Sequence, residues 1–236
     1  MRLDKYLTDT GKLTRSEAGK AIRNRRVTVN GEVVREASAH IDENTAVVTL
    51  DGAKIEWRKF VYILLNKPTG VVSSTEKEGG LPTVLDLLPP EMKRMGLFPC
   101  GRLDADTLGF VLMTNDGETA HNLLSPRHHI DKTYRFSCSP AINEEIRQKL
   151  EQGVDIGDCV TLPCEVVITN EKYTVGEITL REGKYHQIKR MFHVCGAEIT
   201  SLERIRFAGL SLDPALARGE WRYLTEEETA VLLREE

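Results

Sequence analysis

No apolar run in this sequence is long enough to cross a bilayer. The longest, "FVYILL" at residues 60–65, falls far short of the roughly 20 residues a membrane helix needs. The opening residues, "MRLDKYLTDTG", lack an apolar core and a small-residue cleavage site, so they do not read as a secretory signal. The cysteines (Cys100, Cys138, Cys159, Cys164 and Cys195) are odd in number, widely scattered and without a C-x-x-C pair. That excludes a zinc-ribbon pattern and fits reduced thiols of a cytoplasmic protein better than a disulfide framework. No Rossmann fingerprint, P-loop or H-E-x-x-H motif occurs, and there is no internal repeat or low-complexity tract. Among the histidines, His128, His129, His186 and His193 invite a zinc site. No pair has helical i, i+4 spacing, however, and no acidic residue lies between His186 and His193.

What is present reads as a soluble globular chain: 40% hydrophobic and 29% charged residues over 236 positions, enough for one large domain or a small and a medium one. Positive charge is in deficit overall, with a net charge of −4. Locally the balance inverts. Residues 12–26 carry Lys12, Arg15, Lys20, Arg23, Arg25 and Arg26 against Glu17 alone, an excess where a polyanion would sit.

The same stretch has local signals. "TRSE" at residues 14–17 has the spacing of a capping box, and Ala18, Ala21 and Ile22 then recur at helical spacing as an inward face. Arg15, Lys20, Arg23 and Arg26 are left on the outer surface. "RVTVNGEVV" places two β-branched runs around Asn30-Gly31, a strong hairpin signal, and "TAVVTLDG" reads as a closing strand. This order resembles the S4-type RNA-binding domain, carried by "RLDKYL", "TRSEAGKAIRNRRVTVNGEVV" and that last strand. The resemblance implies an RNA-gripping module over residues 1–57, with Lys12, Arg15, Lys20, Arg23 and Arg26 on phosphates. "GAKIEWRK" reads as a short linker to a larger domain at residues 60–236.

In that larger domain strand-like and helical patches alternate without a βαβ period. The expected class is α+β, with a mixed, mostly antiparallel sheet and flanking helices. "VYILLNKPTGVVSS" reads as two short strands around a turn. "TVLDLLPPEMKRM" reads as a brief helix stopped or redirected by Pro89-Pro90. "ETAHNLLSP" and "INEEIRQKLEQG" read as helices, "KTYRFSC" as a strand, and "YTVGEITLREGKYHQIKRMFHVCG" as a strand, a turn and a helix.

"GRLDADTLGFVLMTNDG", residues 101–117, holds three aspartates whose roles must be separated. One reading takes Asp104-Ala105-Asp106-Thr107 as the D-x-D-x-[TV] motif of magnesium-dependent phosphotransferases. That motif needs an apolar strand before its first aspartate, whereas here "FPCGRL" precedes and "FVLMT" follows. Asp106 and Asp116 read as turn or capping carboxylates. The whole stretch instead resembles the catalytic motif of the RsuA/RluB/RluE/RluF branch of pseudouridine synthases. "LNKPTGVVSS", "SPRHHIDKTY" and "EGKYHQIKRMFHVCG" match that branch's other motifs. "SPRHH", "GKYHQIKRMF" and "GEWRYLTEEE" are most similar to its small-subunit ribosomal RNA member.

The resemblance implies an enzyme isomerising a uridine of 16S ribosomal RNA to pseudouridine, with neither cofactor nor metal. It implies Asp104 as the catalytic carboxylate, Lys189 as its cation, and Tyr134 stacking on uracil and assisting proton removal at C5. Ile188 would pack on the other face of the base, and Arg102 would fill the gap left by a flipped nucleotide. Ribosomal RNA or an assembly particle is the expected partner, and the chain is expected to be a cytoplasmic monomer. A catalytically silent RNA-binding assembly factor on the same frame is the other alternative.

Overall fold

The computed structural model describes residues 1–234. Contacts divide it into two compact units: Met1–Val61 with Leu88–Leu97, and Tyr62–Leu87 with residues 98 onward. The excursion at Leu88–Leu97 has no signal in the hydropathy pattern.

In the first unit, α1 (Leu3–Asp9) and α2 (Arg15–Arg23) precede β1 (Val27–Val29), β2 (Glu32–Val33), β3 (Val48–Leu50) and β4 (Ala53–Ile55). The strands form an antiparallel sheet in the order β2-β1-β3-β4. The start of α2 is set by a full capping box: the Thr14 side chain accepts from the Glu17 amide, and Glu17 accepts from the Thr14 amide at 2.7 Å. Asn30 and Gly31, at φ 52° and 87°, make the tight turn between β1 and β2. Ala18, Ala21 and Ile22 bury one face of α2 against Leu3, Leu7, Val27, Val48 and Ile55, which leaves its cations outside.

One expectation needs correcting here. "GAKIEWRK" is not a linker, because Ala53–Ile55 pairs with β3 and Ile55 is buried in the core. The reason lies in Asp51-Gly52, both at positive φ (52° and 82°), which form a second hairpin turn of the Asp-Gly type. The break expected at Pro89-Pro90 is present, since a single 3-10 turn over Val84–Leu87 ends before it. Pro90 opens the short helix α3 (Pro90–Lys93), at a position whose amide has no intrahelical partner to lose.

The second unit is built on β5 (Tyr62–Lys67), β6 (Phe98–Pro99), β7 (Leu108–Thr114), β8 (Lys132–Ser139), β9 (Glu165–Ile168), β10 (Val175–Leu180), β11 (Glu198–Phe207), β12 (Leu210–Ser211) and β13 (Trp221–Tyr223). Its helices are α4 (Gly117–Leu124), α5 (Glu144–Gln152), α6 (Gln187–Val194) and α7 (Glu226–Leu232). The main path of the sheet runs β13-β5-β7-β11-β8-β10-β9, with β6 on β7 and β12 on β11. All pairings are antiparallel except β7 with β11. That parallel junction depends on Gly109, since a Cβ there would lie 2.3 Å from the Arg204 carbonyl oxygen. One apolar cluster packs Phe136, Ile178, Ile188, Met191 and Phe192, and a second packs Leu64, Phe110, Leu112 and Phe207.

A further correction concerns "VYILLNKPTGVVSS", which holds one strand, β5, rather than two. Beyond it only an isolated bridge joins Val72 to Thr83. The chain does not return on β5 because Gly70 donates its amide to the Ala105 carbonyl at 2.8 Å, tying this turn to the Asp104 loop. Among the described residues no helix is long and apolar enough to cross a membrane.

Candidate active site

Asp104 lies in the loop that enters β7. A hydrogen bond from the Thr107 amide to the Asp104 carbonyl (3.0 Å) closes a turn there. Beneath that turn Lys67, at the end of β5, is fully buried. Its ammonium donates to the carbonyls of Pro68 (3.0 Å), Ala105 (3.2 Å) and Thr107 (2.7 Å), so all three of its donors are used. Burial pulls the Lys67 pKa down to about 8, against the partial upward pull of Asp106 and Asp104.

Helix α6 brings Lys189 to the same loop from 85 positions away. Its Nζ lies 2.7 Å from Asp104 Oδ2 and 2.6 Å from Asp106 Oδ1. Burial acts to lower the lysine's pKa, but the hydrogen bonds and charges of the two carboxylates outweigh it, leaving the pKa above its ordinary value. Asp106 is held below the usual carboxylate range, since Lys189 overcomes its desolvation. The other Asp104 oxygen, Oδ1, faces His186 Nε2 at 3.5 Å. Lys189 and Asp104 are 25% and 31% exposed, so the pair sits in a partly dry cleft where its attraction exceeds that of a surface pair.

The remaining expected residues fall as follows. Ile188 is buried beside Lys189, and Tyr134, half-buried on β8, packs against the same apolar cluster. Arg102 is exposed and held bidentately by Glu78 at 2.8 and 2.6 Å. In the first unit Arg26 is engaged by Asp51, whereas Lys12, Arg15, Lys20 and Arg23 make no salt bridge among the described residues. Asp116 caps α4, accepting from the Glu118 and Thr119 amides and from the Tyr62 hydroxyl at 2.6 Å. Burial and that carboxylate push the Tyr62 pKa up to about 12. Among the described residues no group of histidines, cysteines and carboxylates is placed to hold a metal.

Sequence reasoning missed three neighbours of Asp104. Asp106 is more than a turn residue, because it shares Lys189. His186 sits at a left-handed φ of 49° directly before α6. Lys67 ends a strand buried at every position, and no alternation in the sequence marks its inward direction.

Lys67→Met should destabilise the protein by at least about 2 kcal/mol, because three buried carbonyls lose their donor together. The sign of its pH dependence follows from the lowered pKa. Between about pH 8 and the unfolded value of 10.5 the unfolded chain binds the extra proton, so wild-type stability gains with rising pH. The difference between wild type and Lys67→Met in urea melts should therefore widen across that window. A constant difference would show that Lys67 does not titrate there.

The chain is similar in sequence and fold to known proteins. A family model described as RNA pseudouridylate synthase matches residues 61–194, and one for the S4 domain matches residues 1–47. An uncharacterized RNA pseudouridine synthase, YtzG, of Bacillus subtilis (strain 168) is 45% identical over 98% of both chains. The ribosomal small subunit pseudouridine synthase A of Escherichia coli (strain K12) is 40% identical over 98% of this chain and 99% of its own. A crystal structure of a pseudouridylate synthase superposes with a TM-score of 0.69 at 34% identity, covering 99% of this chain and all of the other. A full-length match of this kind, over a fold with an S4 domain ahead of the larger domain, places the chain in the RNA pseudouridylate synthase family.

Proposed function

We propose that this enzyme acts on small-subunit ribosomal RNA, with Asp104 as its catalytic carboxylate and no cofactor or metal. The support for the substrate is that full-length relatives in Escherichia coli and Vibrio vulnificus are named ribosomal small subunit pseudouridine synthase A. The support for Asp104 is the Lys189 ammonium, delivered to it by a helix 85 positions away. The reaction needs no redox partner. The N1–C1′ bond breaks, the uracil turns, a C5–C1′ bond forms, the C5 proton leaves and N1 gains one. Attack at the sugar, attack at the base and removal of a sugar proton all require an ionised carboxylate, and the Lys189 ammonium lies 2.7 Å from that of Asp104. Tyr134 and Ile188 would hold the two faces of the uracil. Tyr134 would assist departure of the C5 proton, and Arg102, released from Glu78, would fill the vacated stack.

The phosphotransferase alternative fits less well. Asp104 and Asp106 both direct an oxygen at one ammonium, which occupies the place where two motif carboxylates would meet a divalent cation. The decisive experiment is mapping of pseudouridines by carbodiimide-blocked reverse transcription in cells with and without this gene. Loss of one modified position in small-subunit ribosomal RNA is expected. An unchanged map would leave the silent assembly factor as the better reading.

The module at residues 1–57 would hold the RNA through cations that no carboxylate occupies. Replacing Lys20 and Arg23 together by alanine should weaken RNA binding and reduce the salt slope by about two, since each phosphate contact contributes nearly one unit. Titrations across a salt series check this. An unchanged slope would remove both residues from the interface.

A further inference from the structure

Beside Asp104 stands a pair of rings that the reaction itself does not use. The Tyr185 ring lies on the His186 imidazole with centroids 3.9 Å apart and planes 17° from parallel. His186 in turn faces Asp104 Oδ1 at 3.5 Å. Tyr185 is 76% exposed, the most exposed large hydrophobic side chain among the described residues. An exposed aromatic normally costs solubility and conformational freedom, yet the backbone that carries this one is held from several sides. Arg190 donates to the Tyr185 carbonyl (3.2 Å) and to Ile156 O (2.5 Å), and it also pairs with Asp158. Gln187 closes the other side, accepting from the Lys184 amide (2.9 Å) and donating to Glu182 (2.7 Å). His186 itself sits at a left-handed φ, a conformation that non-glycine residues occupy only when their surroundings impose it. The result is a flat, fixed platform with one free face, within one residue's reach of the carboxylate.

We propose that Tyr185, backed by His186, stacks on the unpaired base next to the target uridine and so selects the single-stranded context in which that uridine is presented. This rests on the uridine-isomerising reading of the Asp104 cleft. The argument for a base as the occupant is physical. Once a nucleotide leaves its stack, its neighbour loses a stacking partner and exposes a π-face, and a fixed aromatic beside the cleft supplies a replacement. Tyr185 would act as a binding residue and take no part in bond making.

The test uses the intact protein and four probes. These are the dinucleotides carrying adenosine on the 3′ or the 5′ side of uridine, each beside a counterpart lacking the adenine. One adenine-bearing dinucleotide should bind wild type about tenfold more tightly than its abasic counterpart, the usual size of one base–aromatic stack. Tyr185→Ala should lose that gain while binding the abasic probes as wild type does, and Tyr185→Phe should keep it. A gain of equal size in wild type and Tyr185→Ala, or no gain in wild type, overturns the inference. The uridine reading fails by a different sign: no probe shifts the resonances of residues around Asp104, and the inference then falls with it. The exposed position of Tyr185 makes a folding defect in either variant unnecessary to the comparison, and the abasic probes report it directly if present.

Discussion

Asp104→Asn should leave the fold and the RNA affinity in place while turnover falls by ~10⁴-fold or more, the usual scale for losing the group that forms a covalent or proton-transfer intermediate. An amide is nearly isosteric with the carboxylate but carries no charge to give the sugar or the base. The fold should survive because Lys189 keeps its second partner, Asp106, at 2.6 Å. Asp106→Asn is the matched control. Asp106 is 71% exposed and its loss leaves the Asp104–Lys189 contact intact, so activity should stay within about tenfold of wild type. Tritium release from RNA labelled at uridine C5, measured in single turnover, separates the two, with filter binding as the affinity check. Equal loss from both variants would revive the paired-carboxylate phosphotransferase. Near-normal turnover by Asp104→Asn would remove it as the catalyst.

The second large effect is expected at Lys189. Lys189→Met keeps the aliphatic stem and removes the one ammonium that two carboxylates share, so Asp104 and Asp106 face each other across a partly dry cleft without compensation. The rate should fall by about 10²- to 10³-fold, as on removing a donor aimed at a reacting charge. Lys189→Arg restores the charge with a different shape and should recover part of that loss. The lysine's raised pKa fixes the pH behaviour on its side. The pairing is fully present below the ordinary lysine value of 10.5 and weakens only as pH climbs through the raised one. Wild-type activity should therefore show no lysine-dependent loss between neutrality and that range. A basic limb near pH 8 would show instead that a different group, with Lys67 the first candidate, controls the rate.

Local chemistry made much of the frame readable. The Thr14–Glu17 box, the Asn30-Gly31 turn and the Asp116 cap are each dictated by neighbours within a few positions, and each stands where the residues put it. Where a second rule competed, the reading failed. Asp51-Gly52 is the same kind of turn as Asn30-Gly31, but the charged residues after it suggested a linker and hid β4. β5 is buried at all six positions, so it carries no alternation, and nothing in its pattern reveals that Lys67 points inward. The meeting of Asp104 with Lys189 lies beyond any periodicity. It was legible only because the motifs resemble a family whose fold closes that distance. Asp106 was missed because nothing in the spacing distinguishes it from a turn carboxylate.

The pairing of β5 with β13 has a consequence for how the enzyme is made. Tyr62 to Leu65 lie at the start of the second unit's sheet, and their outer partner is Trp221–Tyr223, near the end of the chain. A growing polypeptide emerging from the ribosome therefore exposes this apolar strand as an open edge until residues 221–223 are made, the condition that favours sticking to other chains. The Asp104 loop emerges some 85 residues before the lysine that pairs with it. Translation stopped anywhere before residue 221 leaves an unguarded edge, and stopped before residue 189 it also leaves a carboxylate without its cation. The Asp104–Lys189 pair can therefore close only once residue 189 has been made, and β5 gains its outer partner only with residues 221–223.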